Sequence, residues 1–246
     1  MRIIFLGTNG WYDTNTGNTI CILIQTKKEY IILDAGNGLY KIDRYIKTKK
    51  PIYLFLSHFH LDHISGLHTL AKFNFPQGID IYGPSGTKRI LKKFINYPYT
   101  MPLRNLKTWI KLNEISADSM PITVKYKNLF HSTICLGYRF MLEGKTVTYC
   151  SDTGICKSLY TLAKDADLLI TECSFKSGQT NRNWPHLNPE LAAEVAKYAG
   201  VKKLVLIHFD PSIYRNFADR KKAENAAKKI FKNTTVAKDN MSVSLT

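Results

Sequence analysis

Three histidines and one aspartate fall within the six positions 58 to 63 of this 246-residue chain. They form the segment His58-Phe59-His60-Leu61-Asp62-His63 directly after a short apolar run. Imidazole nitrogens and carboxylate oxygens are ligands that zinc, manganese and iron accept in proteins. Histidines packed at a buried strand end for structural reasons alone would each need a polar partner. The cluster therefore favours a metal site.

Three further candidate ligands, His131, Asp152 and His208, each follow another strand-like segment. Taken singly, His131 or His208 is more typical of a hydrogen-bonded structural histidine. Added to the cluster, they bring the set to five histidines and two aspartates, which is the inventory for two metals sharing one carboxylate. A catalytic site keeps about three protein ligands and one open position per metal, so four residues in one segment already exceed one such site.

The elements that must position these side chains alternate between strands and helices. Apolar or alternating runs predict strands at 2–6, 18–26, 29–34, 52–56, 79–82, 121–129, 134–142, 145–150, 167–172 and 204–207. Helical periodicity appears at 64–73, 85–97 and 156–165, and a further helix begins at Asn188-Pro189 and ends before Gly200. Residues 98–118 have no clear period and are predicted to form a loop or a lid. The pattern predicts an α/β fold.

Composition limits the class of protein and the kind of partner. With 44% hydrophobic residues the chain is too apolar to be disordered, and since no linker divides it we expect one domain over residues 1–246. The net charge is +16, from 35 basic and 19 acidic residues. Such a charge attracts polyanions or small phosphates, although the lysine pairs are scattered and are equally typical of a solvated basic surface.

Cysteine usage and hydropathy predict the compartment. The five cysteines are an odd number without a CxxC pair, which is typical of reduced, mostly buried thiols. The apolar N-terminal stretch is too short for a signal sequence, and no apolar run reaches the length of a membrane span. We therefore expect a cytoplasmic protein that does not bind a membrane.

The order of these motifs along the whole chain resembles the metallo-β-lactamase superfamily. The resemblance rests on the HxHxDH segment, the lone His131, Asp152 in Ser151-Asp152-Thr153 and the late His208, together with Phe5-Leu6-Gly7-Thr8 and Leu33-Asp34-Ala35-Gly36. Within that superfamily, three motifs are similar to those of the tRNase Z-like phosphodiesterase branch: Thr171-Glu172-Cys173-Ser174-Phe175, His186-Leu187-Asn188 and His208-Phe209-Asp210-Pro211. The resemblance implies a four-layer αβ/βα sandwich with a dinuclear zinc site, manganese being the other metal considered.

The same resemblance assigns roles to individual residues. It implies that one metal is held by His58, His60 and His131, the other by Asp62, His63 and His208, and that Asp152 bridges them. A hydroxide between the metals would attack the phosphorus in line, with Asp62 also orienting this nucleophile. His186 would protonate the leaving oxygen and Glu172 would orient His186. The alternative for His186 is a histidine that merely flanks a helix.

The residues between motifs distinguish the possible substrates. Only 21 positions separate His131 from Asp152, where tRNase Z carries its tRNA-gripping arm, so a plain hairpin is expected there. Our leading prediction is therefore hydrolysis of a small cyclic nucleotide, a 3′,5′-cyclic nucleoside monophosphate or related cyclic phosphate. The resemblance also implies a homodimer. Armless members of the branch include phage enzymes that degrade cyclic-nucleotide defence signals. The alternative is a tRNase Z-like endoribonuclease that processes RNA 3′ ends, which the positive charge favours. A non-catalytic metal-dependent sensor would not need a proton donor such as His186.

Overall fold

The structure is a computed structural model that describes residues 1–116 and 120–246. Internal contacts divide the chain into two compact units. The first unit comprises Met1–Gly7, Asn18–Met120 and Asn240–Thr246, and the second comprises Thr8–Gly17 and Pro121–Asp239. The expectation of one hydrolase domain over residues 1–246 concerns both units together and stays a prediction.

Each unit contains one β-sheet with helices. The strands are β1 Arg2–Gly7, β2 Cys21–Gln25, β3 Tyr30–Leu33, β4 Ile52–Phe55, β5 Ile79–Gly83, β6 Ile110–Glu114, β7 Val124–Asn128, β8 Leu136–Leu142, β9 Lys145–Cys150, β10 Leu168–Glu172, β11 Leu204–Ile207, β12 Thr234–Val236 and β13 Ser242–Ser244. The α-helices are α1 Leu61–Ile64, α2 Thr87–Phe94, α3 Lys157–Ala163, α4 Pro189–Tyr198 and α5 Phe217–Lys228. The 3₁₀ helices are Asn37–Arg44, Ser65–Lys72 and Leu103–Asn105.

The first unit has a seven-stranded sheet in the order β13-β1-β2-β3-β4-β5-β6. β1, β2 and β3 are antiparallel, whereas β3 to β6 run parallel. Buried aliphatic side chains of this sheet pack with those of the first two 3₁₀ helices and α2. Leu33 pairs with Phe55 at the ends of β3 and β4, so the residues that follow both strands emerge at one edge of the sheet.

The second unit has a six-stranded sheet in the order β12-β11-β10-β9-β8-β7, packed against α3, α4 and α5. β9, β10 and β11 are parallel, with Thr171 opposite Cys150 and Glu172 opposite Ile207. The carboxyl ends of these three strands therefore meet at one edge. β8 and β9 form the plain hairpin that the sequence predicts, closed by Glu143-Gly144 with both residues at positive φ.

The prediction of a loop or a lid over 98–118 was wrong for two parts of the segment. Leu103–Asn105 is a 3₁₀ helix, and β6 pairs in parallel with β5. β6 is an edge strand in which only Leu112 is buried, so its apolar pattern is too weak to distinguish from a loop. Residues 117 and 118 of that segment lie outside the described residues. The predicted helix over 64–73 is largely the 3₁₀ helix Ser65–Lys72.

Two further predictions can be compared with the described residues. Four of the five cysteines are buried, as expected, with Cys156 the exception. Among the residues that the structure describes, we find no helix with both the length and the apolarity to cross a membrane.

Candidate functional site

The segment after β4 brings three imidazole rings of the first unit into contact. The ring centroid of His58 lies 4.6 Å from that of His60 and 4.1 Å from that of His63. The chain then turns into the short helix α1, which carries Asp62 and His63, and a carboxylate oxygen of Asp62 lies 3.4 Å from His63 Nε2. The sequence-predicted cluster is thus assembled within one unit by the end of one buried strand.

A hydrogen-bond network sets which nitrogen of these rings faces the cluster. Buried Asp34, which follows β3, accepts hydrogen bonds from the Ser57 amide at 2.7 Å, the Ser57 hydroxyl at 2.8 Å and His63 Nδ1 at 2.8 Å. Since the Ser57 hydroxyl donates its proton to Asp34, His58 Nδ1, at 2.9 Å, must donate to the Ser57 oxygen. Both rings therefore carry their proton on Nδ1 and present the Nε2 lone pair.

In the second unit, Asp152 lies between two histidines. It follows β9, and its carboxylate oxygens lie 3.1 Å from His208 Nε2 and 3.9 Å from His131 Nε2. His208 directly follows β11, and its Nδ1 donates to the Ser174 hydroxyl at 2.9 Å, because that hydroxyl donates to the His208 carbonyl. As in His58 and His63, Nε2 is therefore the nitrogen that carries the lone pair in the neutral ring of His208.

Gly10 lies in close contact with the His208 ring. A Cβ atom at position 10 would lie 2.4 Å from His208 Cε1, so only glycine allows the backbone to approach the ring this closely. The Gly10 amide also donates to the carbonyl of Phe209 at 3.0 Å. His208 itself has φ of 54°, a left-handed conformation that is uncommon for a residue with a side chain.

Glu172 and His186 form a buried pair in the same unit. His186 Nδ1 lies 2.7 Å from Glu172 Oε1, and the Glu172 carboxylate also accepts hydrogen bonds from the amides of Thr153 at 2.6 Å and Ser174 at 3.2 Å. Glu172 ends β10, whereas His186 precedes α4, whose N-cap is Asn188. The His186 ring centroid lies 5.6 Å from that of His131 and 6.2 Å from that of His208. This pair can hold and deliver a proton beside the ligand candidates.

The donor set fits metal ions. His208 Nε2 and Asp152 Oδ1 are two acceptors 3.1 Å apart, an arrangement that needs a proton or a metal cation between them. Histidine ligands characteristically donate their second ring nitrogen to an oxygen of the protein, as three of these rings do. Each unit by itself brings together side chains of the kinds that bind metal ions: His58, His60, Asp62 and His63 in the first unit, and His131, Asp152 and His208 in the second.

Sequence reasoning missed the residues that orient the ligands. Asp34, Ser57 and Ser174 were not predicted as parts of the site, although Asp34 and Ser174 follow strands just as the ligands do. A polar residue one or two positions after a buried strand is the signal that could have found them. Gly10 carried no comparable signal, because its role depends on a contact with a ring about 200 positions later in the chain.

Comparison with known proteins places the chain in a family. The family described as Beta-lactamase superfamily domain matches residues 29–209, about three quarters of the chain. A protein named Ribonuclease Z from Methanosarcina mazei is 28% identical over 304 aligned positions, covering 98% of this chain and 97% of the relative. Because this chain has 246 residues, at least 58 of those positions are gaps in it.

Solved structures show the same fold. The metallo-β-lactamase fold protein YhfI from Bacillus subtilis superposes with a TM-score of 0.82 at 25% identity, covering 98% of both chains. The short form of human tRNase Z gives a TM-score of 0.77 at 23% identity and covers 99% of both chains. The predicted metallo-β-lactamase fold and the predicted likeness to tRNase Z are thereby confirmed. The chain belongs to the β-lactamase superfamily and is a metal-dependent hydrolase, and along its length it is similar to tRNase Z-like phosphodiesterases.

Proposed function

We propose that this enzyme cleaves a phosphodiester bond of RNA near a 3′ end. The observation that carries the proposal is the Glu172–His186 pair beside His131 and His208, since a held proton donor serves bond cleavage and a non-catalytic metal-dependent sensor would not need one. The similarity to Ribonuclease Z along 98% of the chain supports RNA as the substrate. The alternative that the sequence left open thus becomes the main proposal.

We propose further that two metal ions are held by the predicted ligands. His58, His60 and His131 would hold one ion, Asp62, His63 and His208 the other, and Asp152 would bridge them. When bound, such ions lower the pKa of water towards neutrality and neutralise charge on phosphoryl oxygens. The Nε2 lone pairs that Ser57, Asp34 and Ser174 direct support this assignment.

The chain's own residues would then handle the proton. Glu172 holds His186 through Nδ1, so Nε2 is the atom that can donate a proton to the departing oxygen of the ribose. Glu172 is fixed by two backbone amides and cannot swing away without losing them. Asp62, at the N-terminal turn of α1, would orient the attacking water.

A small cyclic nucleotide is the second candidate substrate. The observation that favours it is the two-residue turn between β8 and β9, which leaves no insertion between His131 and Asp152 in the second unit. An RNA substrate would then have to be positioned by other surfaces. Zinc or manganese as the metal, a homodimer and a role against phage defence stay predictions of the resemblance.

One experiment decides between the two substrates. The purified protein is incubated with a 3′-extended pre-tRNA and with 3′,5′-cyclic AMP and UMP, and kcat/KM is measured for each. His60→Ala, analysed for bound metal, is the inactive control. Site-specific RNA cleavage with slow opening of the cyclic nucleotides supports the proposal, whereas efficient cyclic nucleotide opening with intact RNA reinstates the second candidate.

A further inference from the structure

One large aromatic side chain lies beside the proposed proton donor with half of its surface exposed. Trp184 is 49% exposed, and its ring centroid lies 5.8 Å from that of His186 and 6.2 Å from that of His131. The Trp184 ring is tilted by 57° to that of His186 and makes an edge contact at 66° with that of His131, and half of its surface stays exposed. Neither the metals nor the proton transfer proposed above use this side chain.

The backbone holds Trp184 in place before any substrate binds. The Asn181 side chain accepts hydrogen bonds from the amides of Asn183 at 2.9 Å and Trp184 at 3.2 Å, and Pro185 restricts the backbone of Trp184, the residue before it. Pro185 and Phe130 both pack on Gly154, where a Cβ atom would lie 2.8 Å from Pro185 Cβ and 2.9 Å from Phe130 Cδ1. The loop that carries Trp184 is therefore anchored to the segment that carries Asp152.

An exposed indole on a loop held in this way offers a planar surface on which another planar ring can stack. Nucleobases stack on tryptophan without a strong preference for sequence, since every base has a π-face. A phosphodiester lacking a base, such as a cyclic sugar phosphate, would gain little from this surface. The neighbouring rings of His131 and His186 belong to the proposed reaction centre, so a base stacked on Trp184 would be attached to the reacting phosphate or to the next one.

We infer that Trp184 stacks on a nucleobase of the substrate and restricts the enzyme to nucleotide phosphodiesters. This inference rests on the proposed function, because it names the substrate class of the same site. It holds equally for RNA and for a cyclic nucleotide, which both carry bases. A merely structural role, holding the His186 ring in position, would instead slow the reaction of every phosphodiester alike.

Two esters with the same leaving group separate these roles. Thymidine 5′-(p-nitrophenyl phosphate) carries a base and methyl p-nitrophenyl phosphate does not, and nitrophenolate needs no protonation by His186. The quantity measured is the ratio of their kcat/KM values. Trp184→Ala should lower this ratio about 5- to 100-fold, the range for one stacked base. Trp184→Phe, which keeps an aromatic ring, should retain most of the wild-type ratio. So should Tyr198→Ala, the control that removes an exposed aromatic side chain of the same unit.

A binding measurement covers the case in which the protein hydrolyses neither ester. Adenosine 5′-monophosphate is titrated against the intrinsic fluorescence of the wild-type protein and of Trp184→Ala. The inference requires quenching and a lower Kd in the wild type, and this result stands even when the proposed hydrolysis fails. An unchanged ester ratio in Trp184→Ala, or equal Kd values where neither ester reacts, overturns it.

Discussion

Three histidines of the candidate site have their tautomer set by an oxygen atom of the same chain. Ser57 fixes His58, Asp34 fixes His63 and Ser174 fixes His208, and all six residues are buried. Because bulk water does not compete for these hydrogen bonds, the rings are held before a metal arrives. The reorganisation that would oppose metal binding is thereby reduced.

Ser174 allows this idea to be tested with a small change. Ser174→Ala removes the acceptor of the His208 Nδ1 proton and leaves the ligand itself in place. We expect metal affinity to fall about 10- to 100-fold, the usual effect of losing such a partner. Competition with a chromophoric chelator measures the metal affinity. The matched control is Ser177→Ala, which changes an exposed serine of the same unit. Equal affinity in both variants would contradict the positioning role.

His186 should contribute to turnover without holding metal. His186→Ala should keep its metal content, measured by elemental analysis, and lower kcat by about 10²- to 10⁴-fold, the contribution of a positioned general acid. A substrate with a nitrophenol leaving group should lose much less, since its leaving oxygen needs little protonation. An equal loss on both substrates would remove the acid role, and loss of metal would make His186 a ligand.

At the scale of single residues, the sequence predicted the candidate metal ligands better than the residues that hydrogen-bond to them. His58, His60 and His63 are recognisable because metal chemistry demands their types and close spacing. Asp34 lies 29 positions before His63, and its contact depends on the parallel register that sets Leu33 opposite Phe55. A register between distant strands is a tertiary property, so the pairing of Asp34 with His63 was not predicted.

Among the larger elements, the loop Thr8–Gly17 is held by one buried arginine. Arg220 of α5 donates to Thr8 Oγ1 at 2.9 Å, to Thr16 Oγ1 at 3.2 Å and to the Asn9 side chain. Its guanidinium also lies 4.5 Å from the ring centroid of Phe209. Burial lowers the pKa of Arg220 to about 10, although nearby Asp239 opposes the shift, so the side chain remains a cation at neutral pH.

Removing this cation should loosen the loop that supports His208. Arg220→Met leaves the loop's oxygen acceptors without their charged donor, and we expect a loss of about 2–4 kcal/mol, or roughly 5–15 °C in Tm. Metal affinity should fall as well, because Gly10 of this loop packs on the His208 ring. Thermal unfolding measures the first effect, and Arg215→Met, at an exposed arginine, is the control. An unchanged Tm would show that the loop is held by other contacts.

Elements buried in the sheets were the most predictable. β4 and β11 are continuous apolar runs in the sequence because a strand inside a parallel sheet is covered on both faces. Both strands were predicted close to their observed bounds. The edge strand β6 was missed because its side chains alternate only weakly. The 3₁₀ helix Ser65–Lys72 carries apolar residues at helical spacing, so periodicity alone cannot distinguish it from an α-helix.

At the scale of the whole molecule, the net charge of +16 is the property that bears most directly on the substrate. A folded RNA places many phosphates on a basic surface and releases a counterion for each contact, whereas a cyclic nucleotide presents one phosphate. Charge attracts either ligand but does not place one particular bond at the reaction centre. The number of phosphates contacted is therefore what separates the two candidate substrates.

Salt dependence should report that number. If RNA is the substrate, kcat/KM for a 3′-extended pre-tRNA measured below saturation should fall at least about tenfold between 50 and 200 mM salt, since each contacted phosphate adds about 0.7–0.9 to the logarithmic slope. The same series with 3′,5′-cyclic AMP should give a slope near that of one phosphate.

His60→Ala, which retains the basic surface, separates binding from chemistry: its affinity for the RNA should show the same steep slope. A shallow slope for the RNA would mean that the basic surface is merely solvated, and would return the cyclic nucleotide to first place.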